Sequence, residues 1–245
     1  MKKILSMKIY LTLFAIITVF ASCYNPFHKT VKGNGNIKTD ERTVQTFDEI
    51  RCSGSYNVEL TQGNASTVRI ETDENLLPYI ETKVNGDELV IRTEDDVNIR
   101  SSDKIKVYIT TNKLEAFKLS GSGDVKTTNK FAGSDHLDLD IAGSGNIHFD
   151  VNTPAISSSI SGSGDIYLTG ETKDSRIDIA GSGNYHADDL KAENATIKIA
   201  GSGDAWLFVD NQLDINIAGI GNVYYRGNAT VNQKIAGTGK IEKKD

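Results

Sequence analysis

Ser120-Gly121-Ser122-Gly123-Asp124 recurs as Ala142-Gly143-Ser144-Gly145-Asn146, then as Ser161-Gly162-Ser163-Gly164-Asp165, Ala180-Gly181-Ser182-Gly183-Asn184 and Ala200-Gly201-Ser202-Gly203-Asp204. Two diverged copies follow, Ala218-Gly219-Ile220-Gly221-Asn222 and Ala236-Gly237-Thr238-Gly239-Lys240. Successive first glycines are 22, 19, 19, 20, 18 and 18 residues apart. A period of this size is the signature of a stacked-repeat architecture.

Residues on either side of the glycines define the unit. Two positions before each first glycine stand Leu119, Ile141, Ile160, Ile179, Ile199, Ile217 and Ile235. Four before stand Phe117, Leu139, Ser158, Ile177, Ile197, Ile215 and Gln233, with a polar residue between the two in every copy. Alternation of period two is a strand with one buried face. Val125, Ile147, Ile166, Tyr185, Ala205, Val223 and Ile241 lie four after it and begin a second inward column. Strand, glycine corner, strand and loop together make one rung. A single rung cannot bury its apolar face alone, so rungs stack into one core. The leucine-rich frame, the six-residue beat of left-handed hexapeptide helices and the nine-residue calcium repeat are all absent. The expected fold is an all-β, right-handed parallel β-helix of 18–22 residues per rung.

Residues 32–112 are less regular. Phe47–Ser53, Tyr56–Thr61 and Thr67–Thr72 alternate as strands, and Asn85-Gly86-Asp87 signals a hairpin. Lys32–Asn36 and Cys52–Asn57 read as degenerate copies of the corner. Asp73–Ile80 reads as one short helix interrupted by Pro78. Residues 32–245 therefore form one domain, with irregular strands over 32–112 and regular rungs over 113–245.

Upstream, Lys2, Lys3 and Lys8 precede the apolar run Ile9–Ala21, which is shorter than the roughly 20 residues that span a bilayer. Residues 1–22 read as a secretory signal. Phe20-Ala21-Ser22-Cys23 resembles a lipobox, although Phe20 stands where Leu is usual. Cleavage before Cys23 would place a lipid on its sulfur, with residues 23–31 as a tether. Ordinary cleavage after Ser22 would instead leave a free thiol. Cys52 reads as a small buried apolar residue.

The pattern Gly33-x-Gly35, Arg42-x-Val44-x-x-Phe47-x-x-Ile50, Gly54 with Val58, and then the Gly-Ser-Gly ladder resembles the auto-transporter adhesin family with a head GIN domain. The resemblance spans roughly residues 32–240. It implies a β-helix-like fold, an envelope lipoprotein and a role in adhesion, and it carries over no catalytic residues. The expected location is the cell envelope, at the outer membrane. No acidic run follows Cys23 to decide the leaflet.

Composition narrows the function classes. Lys and Arg number 27 and Asp and Glu 33, a formal charge of −6. Loss of residues 1–22 lowers the positive count to 24 and the charge to −9. Such a surface does not suit non-specific nucleic-acid binding. Two cysteines exclude a disulfide framework and a four-cysteine zinc site. Gly-Ser-Gly-Asp lacks the Lys and the following helix of a phosphate loop, and Gly33-Asn34-Gly35 fails the dinucleotide pattern. No nucleophile elbow, Cys/His pair or zinc-protease motif occurs. No catalytic residue, cofactor or metal is expected.

Two columns remain. The third residue after each first glycine reads Asp124, Asn146, Asp165, Asn184, Asp204 and Asn222. With rungs about 4.8 Å apart, alternating Asn keeps the carboxylates roughly 10 Å from one another. A turn-stabilising Asx ladder fits this pattern, with a calcium or glycan site as the alternative. The fifth residue reads Lys126, His148, Tyr167, His186, Trp206, Tyr224 and Glu242. Alternation turns it outward, with Trp206 in water. It makes either a self-stacking ladder or a platform for a protein or glycan partner. His148 and His186 are two rungs apart without an acid in that column, which argues against zinc. The readings are a lipid-anchored, non-catalytic adhesion module, a carbohydrate-binding or carbohydrate-active β-helix, and a structural envelope accessory.

Cys23→Ser is expected to shift the protein from the membrane to the soluble fraction. Labelled palmitate still entering the variant would overturn the lipobox reading.

Overall fold

The computed structural model describes residues 29–244. Cys23 and the signal segment lie outside the described residues. The N-terminal strands are β1 (Lys29–Lys32), β2 (Ile37–Thr43), β3 (Glu49–Gly54), β4 (Tyr56–Gln62), β5 (Thr67–Asp73), β6 (Ile80–Asn85), β7 (Glu88–Thr93), β8 (Val97–Arg100) and β9 (Ile105–Thr111). The repeat region holds β10 (Ala116–Gly121), β11 (Asp124–Thr127), β12 (Phe131–Ala132), β13 (His136–Gly143), β14 (Asn146–Asn152), β15 (Ala155–Gly162) and β16 (Ile166–Gly181). It ends with β17 (Tyr185–Gly201), β18 (Ala205–Gly219), β19 (Val223–Arg226), β20 (Thr230–Gly237) and β21 (Ile241–Lys243).

Most of these strands stack in parallel as a β-solenoid of about 6 turns. One face runs β7–β3–β10–β13–β15–β16–β17–β18–β20. The other runs β9–β4–β11–β14–β16–β17–β18–β19–β21. The register is set at the corner. Gly54, Gly121, Gly143, Gly162, Gly181, Gly201, Gly219 and Gly237 are successive partners. Cys52–Gly54 therefore is a corner of the ladder, as its sequence suggests. Cys52 lies under Leu119 in the inward column, fully buried, and burial pushes its thiol up to about 12.

The corner chemistry explains the glycines. The Gly162 carbonyl accepts from the N–H of Ser182 at 2.9 Å and of Gly183 at 3.2 Å. The Gly143 carbonyl does the same for Ser163 and Gly164. One carbonyl bonding two amides must sit close under the next rung. A methyl group on Gly181 would overlap the Gly162 oxygen, and Gly181 also has φ +133°. Gly183 lacks a positive φ, but its added methyl would strike the Gly164 carbonyl.

Leu119, Ile141, Ile160, Ile179, Ile199 and Ile217 are at most 2% exposed, each contributing about 1.5–3 kcal/mol of burial. Ile235 departs from the expected buried column: it is 39% exposed, because among the described residues β20 pairs with β18 alone. Tyr185 takes an aliphatic place in the second column and is fully buried. Ala205 stacks beneath it, and Ser158 and Ser175 face its hydroxyl, so small side chains make room for the ring.

The N-terminal part closes one end. β5 runs antiparallel to β9 and β2, and β6 antiparallel to β7. The expected hairpin is present, with Gly86 at φ +64°. Three expectations change here. The stretch Lys32–Asn36 is not a corner of the ladder. It joins β1 to β2 and wraps the buried Asp73 carboxylate, which accepts from Gly35 N–H (2.7 Å), Ser102 N–H (2.9 Å) and the Ser101 and Ser102 hydroxyls. Burial works to raise that carboxyl, but the four donors hold it at about 2. The expected helix over Asp73–Ile80 shrinks to a 3-10 turn, Leu77–Tyr79, because Pro78 can occupy only the start of a helix. Lys29–Val31, read as the end of the tether, pair in parallel with β8.

Gly181→Ala is expected to lose about 3 kcal/mol from combined backbone strain and overlap. Ser182→Ala, on an exposed neighbour, should stay within about 0.5 kcal/mol. Urea unfolding of the two variants compares them directly. Equal midpoints would refute the corner argument.

Candidate functional site

The outward column of the second face follows from the register that the corners impose. His148, Tyr167, His186, Trp206 and Tyr224 are register partners on successive rungs. Parallel in-register pairing brings identical positions one strand spacing apart. Flat side chains placed so must either splay or stack. Here they stack. Centroids are 4.3 Å apart for His148–Tyr167, 4.4 Å for Tyr167–His186 and 4.4 Å for His186–Trp206, with planes within 6°. Trp206–Tyr224 is looser, at 5.4 Å and 20°. Trp206 is half-buried rather than in water, because His186 and Tyr224 cover its two faces.

The ends of this stack differ. Beyond Tyr224, the Lys244 ammonium sits 4.9 Å from the ring centroid and pairs with Glu242 at 2.6 Å. Beyond His148 the next partner is Lys126, whose ammonium is drawn 3.0 Å from Glu59 on the rung further along. His148 is exposed. A groove of about 780 Å³ opens there, lined among others by Asn57, Glu59, Lys106, Asp124, Lys126, Asn146, His148, Asp150 and Tyr167. Several of its charges are already engaged. Lys106 bonds Glu71 at 2.8 Å, and Lys130 approaches Asp150 at 3.4 Å.

The third-position column runs beside the corner. The Asn146 amide donates to Asp124 at 2.9 Å, and Asn184 and Asn222 donate likewise to Asp165 (3.1 Å) and Asp204 (2.9 Å). From Asn146 onward each side chain also accepts a backbone N–H from the next rung, whereas beside Asp124 the Asn146 N–H goes to the Gly123 carbonyl. Asn184 N–H donates to Asp165 at 2.7 Å, Asp204 N–H to Asn184 at 3.0 Å and Asn222 N–H to Asp204 at 2.7 Å. Asp165 N–H reaches Asn146 at 3.1 Å, and Lys240 N–H reaches Asn222 at 3.0 Å. The ladder thus satisfies backbone donors at the corner.

Environment tunes two members of the stack. Burial lowers the basicity of His186, with Asp165 and Asp188 opposing and His148 reinforcing. Burial, then Asp165, raises the Tyr167 hydroxyl. Among the described residues no group of three His, Cys, Asp or Glu could hold a metal. No described helix is long and apolar enough to cross a membrane.

Sequence reasoning found the stack and the Asx column. It missed the groove, because Glu59, Lys106 and Asp150 come from β4, β9 and β14, and only folding brings them together. The positions outside the repeat that meet the column, Glu59 and Tyr108, follow only once β4 is known to stack on β11 and β9 on β4.

Fold and site define a β-solenoid that presents an ordered surface stripe. Residues 46–229 match the family described as "Putative auto-transporter adhesin, head GIN domain", and the chain belongs to that family. Solved structures agree in fold. A "putative adhesin" from Bacteroides fragilis superposes with TM-score 0.80 at 23% identity, covering 87% of this chain and 99% of that one. A "putative adhesin" from Parabacteroides distasonis gives 0.72 at 28% identity, covering 88% and 100%. A "putative lipid binding protein" from the same organism gives 0.74 at 27%, covering 89% and 100%. No curated protein matches.

His186, a base made weaker by folding, binds its proton more readily in the unfolded chain. Stability is therefore whole above about 6.5 and declines as pH falls below it. Melting curves between pH 7.5 and 5.5 should slope less in His186→Phe, which keeps a flat ring between Tyr167 and Trp206. An identical slope in both proteins would exclude His186 as the source.

Proposed function

We propose that this protein is a lipid-anchored, non-catalytic adhesin of the cell envelope. Its solenoid serves as a stiff mount, and contact with the partner is made at the groove beside His148 rather than along the length of the stripe. The observation that carries this is the stack itself. Tyr167, His186 and Trp206 have both faces covered by neighbouring rings, and only edges meet the surroundings. The lipobox resemblance at Cys23 supports the anchor, and the family supports a surface location. The column of rings then acts mainly as reinforcement, since each stacked pair contributes about 0.5–1.5 kcal/mol beyond its area.

Cells carrying the full chain should attach to mucin-coated plastic several-fold better than cells lacking it. Trp206→Ala should lower stability by about 1 kcal/mol while attachment at growth temperature is unchanged. Equal attachment with and without the chain would overturn the adhesin reading. Attachment lost in Trp206→Ala without loss of stability would return the binding face to the middle of the stripe.

A further inference from the structure

The groove beside His148 is shaped for one more ring. Every interior ring face of the stack is taken, and at the Tyr224 end a lysine covers the outer face. His148 is exposed and borders the groove, and the ammonium of its partner Lys126 is drawn away to Glu59. The stack advances by 4.3–4.4 Å per ring. A ring placed one step beyond His148 therefore falls inside the 780 Å³ groove. Small-ligand sites commonly have volumes in this range.

The floor of that place is largely apolar, with Val58, Val125 and Phe149 in its lining, and the charged groups around it are of both signs. Lys106 and Lys126 supply donors, and Glu59, Asp124 and Asp150 supply acceptors. The Asn146 amide is spent on one oxygen of Asp124, and the other carboxylate oxygen is not used in that bond. Formal charges on the lining residues give two positive and three negative, within a chain of −6. Hydroxyl groups both donate and accept, so they suit such a wall, whereas an additional anion meets net repulsion. A flat apolar ring of the ligand over an imidazole face, ringed by hydroxyls facing carboxylates and ammonium groups, describes a pyranose. We propose that this groove binds a single neutral or amino-bearing hexopyranose unit of a glycan, its C–H face stacked on His148. The proposal deepens the adhesin reading and rests on the solenoid making contact at this end.

Saturation-transfer NMR on the detergent-solubilised full chain tests it, with methyl glycosides of glucose, galactose, mannose, glucosamine, N-acetylglucosamine and glucuronic acid as probes. At least one neutral or amino sugar should receive saturation, strongest at the protons of one ring face, and glucuronic acid should receive several-fold less. His148→Ser should reduce the signal at least ten-fold, and His148→Phe, which restores a flat face, should retain it. Trp206→Ala, three rings down the stack, should bind as the parent does. Thermal melts of each variant separate lost binding from lost folding, and Asp124→Asn, on the exposed rim, gives a second reading if His148→Ser does not fold. Transfer to no sugar, or transfer that survives His148→Ser in a folded protein, would overturn the proposal. Glucuronic acid as the preferred probe would also overturn it. Attachment that depends on the chain without any sugar binding would sink this inference and leave the adhesin reading standing. Sugar binding that His148→Ser abolishes, with attachment independent of the chain, would do the reverse.

Discussion

A corner carbonyl oxygen accepting amide protons from the next rung sets the geometry of the repeat region. Two amides share that oxygen at Gly121, Gly143 and Gly162 and one amide takes it at Gly181, Gly201 and Gly219, and in every case consecutive corners lie too close for a side chain between them. Glycine follows at both corner positions for different reasons. The first needs a left-handed φ as well as space, while the second needs space alone. Because neither position tolerates slippage, the corner pins the register of both strands that leave it. A shift by one residue would exchange the buried and exposed sets, so the same constraint protects the core.

Once the register is pinned, like residues stand over like residues, and the surface inherits the repeat. Carboxylates in one column would repel, and the alternation with Asn converts that column into hydrogen bonds. Rings in one column would leave gaps at the strand spacing of about 4.8 Å, so they lean to reach 4.3–4.4 Å. The stack loosens only past Trp206, whose ring meets Tyr224 at 5.4 Å and 20°. The corner, the Asx ladder and the stack are three rows of contacts that pass from rung to rung through the repeat region. They run along the axis that side-chain packing alone would hold least rigidly.

The repeat region was legible because its physics is local and periodic. Ile179 and Ile199 declare their face by alternation, and Gly181 declares the corner. Ile235 repeats the pattern faithfully and is nevertheless exposed, since a sequence column does not say which rung is last. Residues 32–112 were harder because their pairing is long-range and partly antiparallel. Gly33 and Gly35 mimic a corner, yet they serve the Asp73 carboxylate, whose donors come from two separate loops. Trp206 shows the same limit in another form. Alternation assigned its side correctly but carried no information on how its neighbours would cover it. The groove beside His148 was invisible for the reason that most sites are: its walls belong to strands far apart in the chain, and its opening depends on where one lysine points.

A stack that consumes its own faces changes how such a surface can bind. Along the stripe a partner meets ring edges, which offer little area and no sandwich. At the His148 end it meets a face, and there is one such end per chain. On the proposed reading each molecule therefore offers a single shallow contact, and sugar contacts of that size are individually weak. Strength must then come from number. On the same reading the proposed lipid anchor would fix many copies in one plane, and the second contact to a repetitive glycan would form at the effective concentration set by that plane rather than by bulk solution. Stiffness matters to this arithmetic, because a solenoid bonded along three rows holds its end at a fixed place, while a flexible stalk would dilute the same groove over a larger volume. On the proposed reading the ring column and the groove divide the work: the first keeps the mount straight, and the second, at the point where the column stops, does the binding.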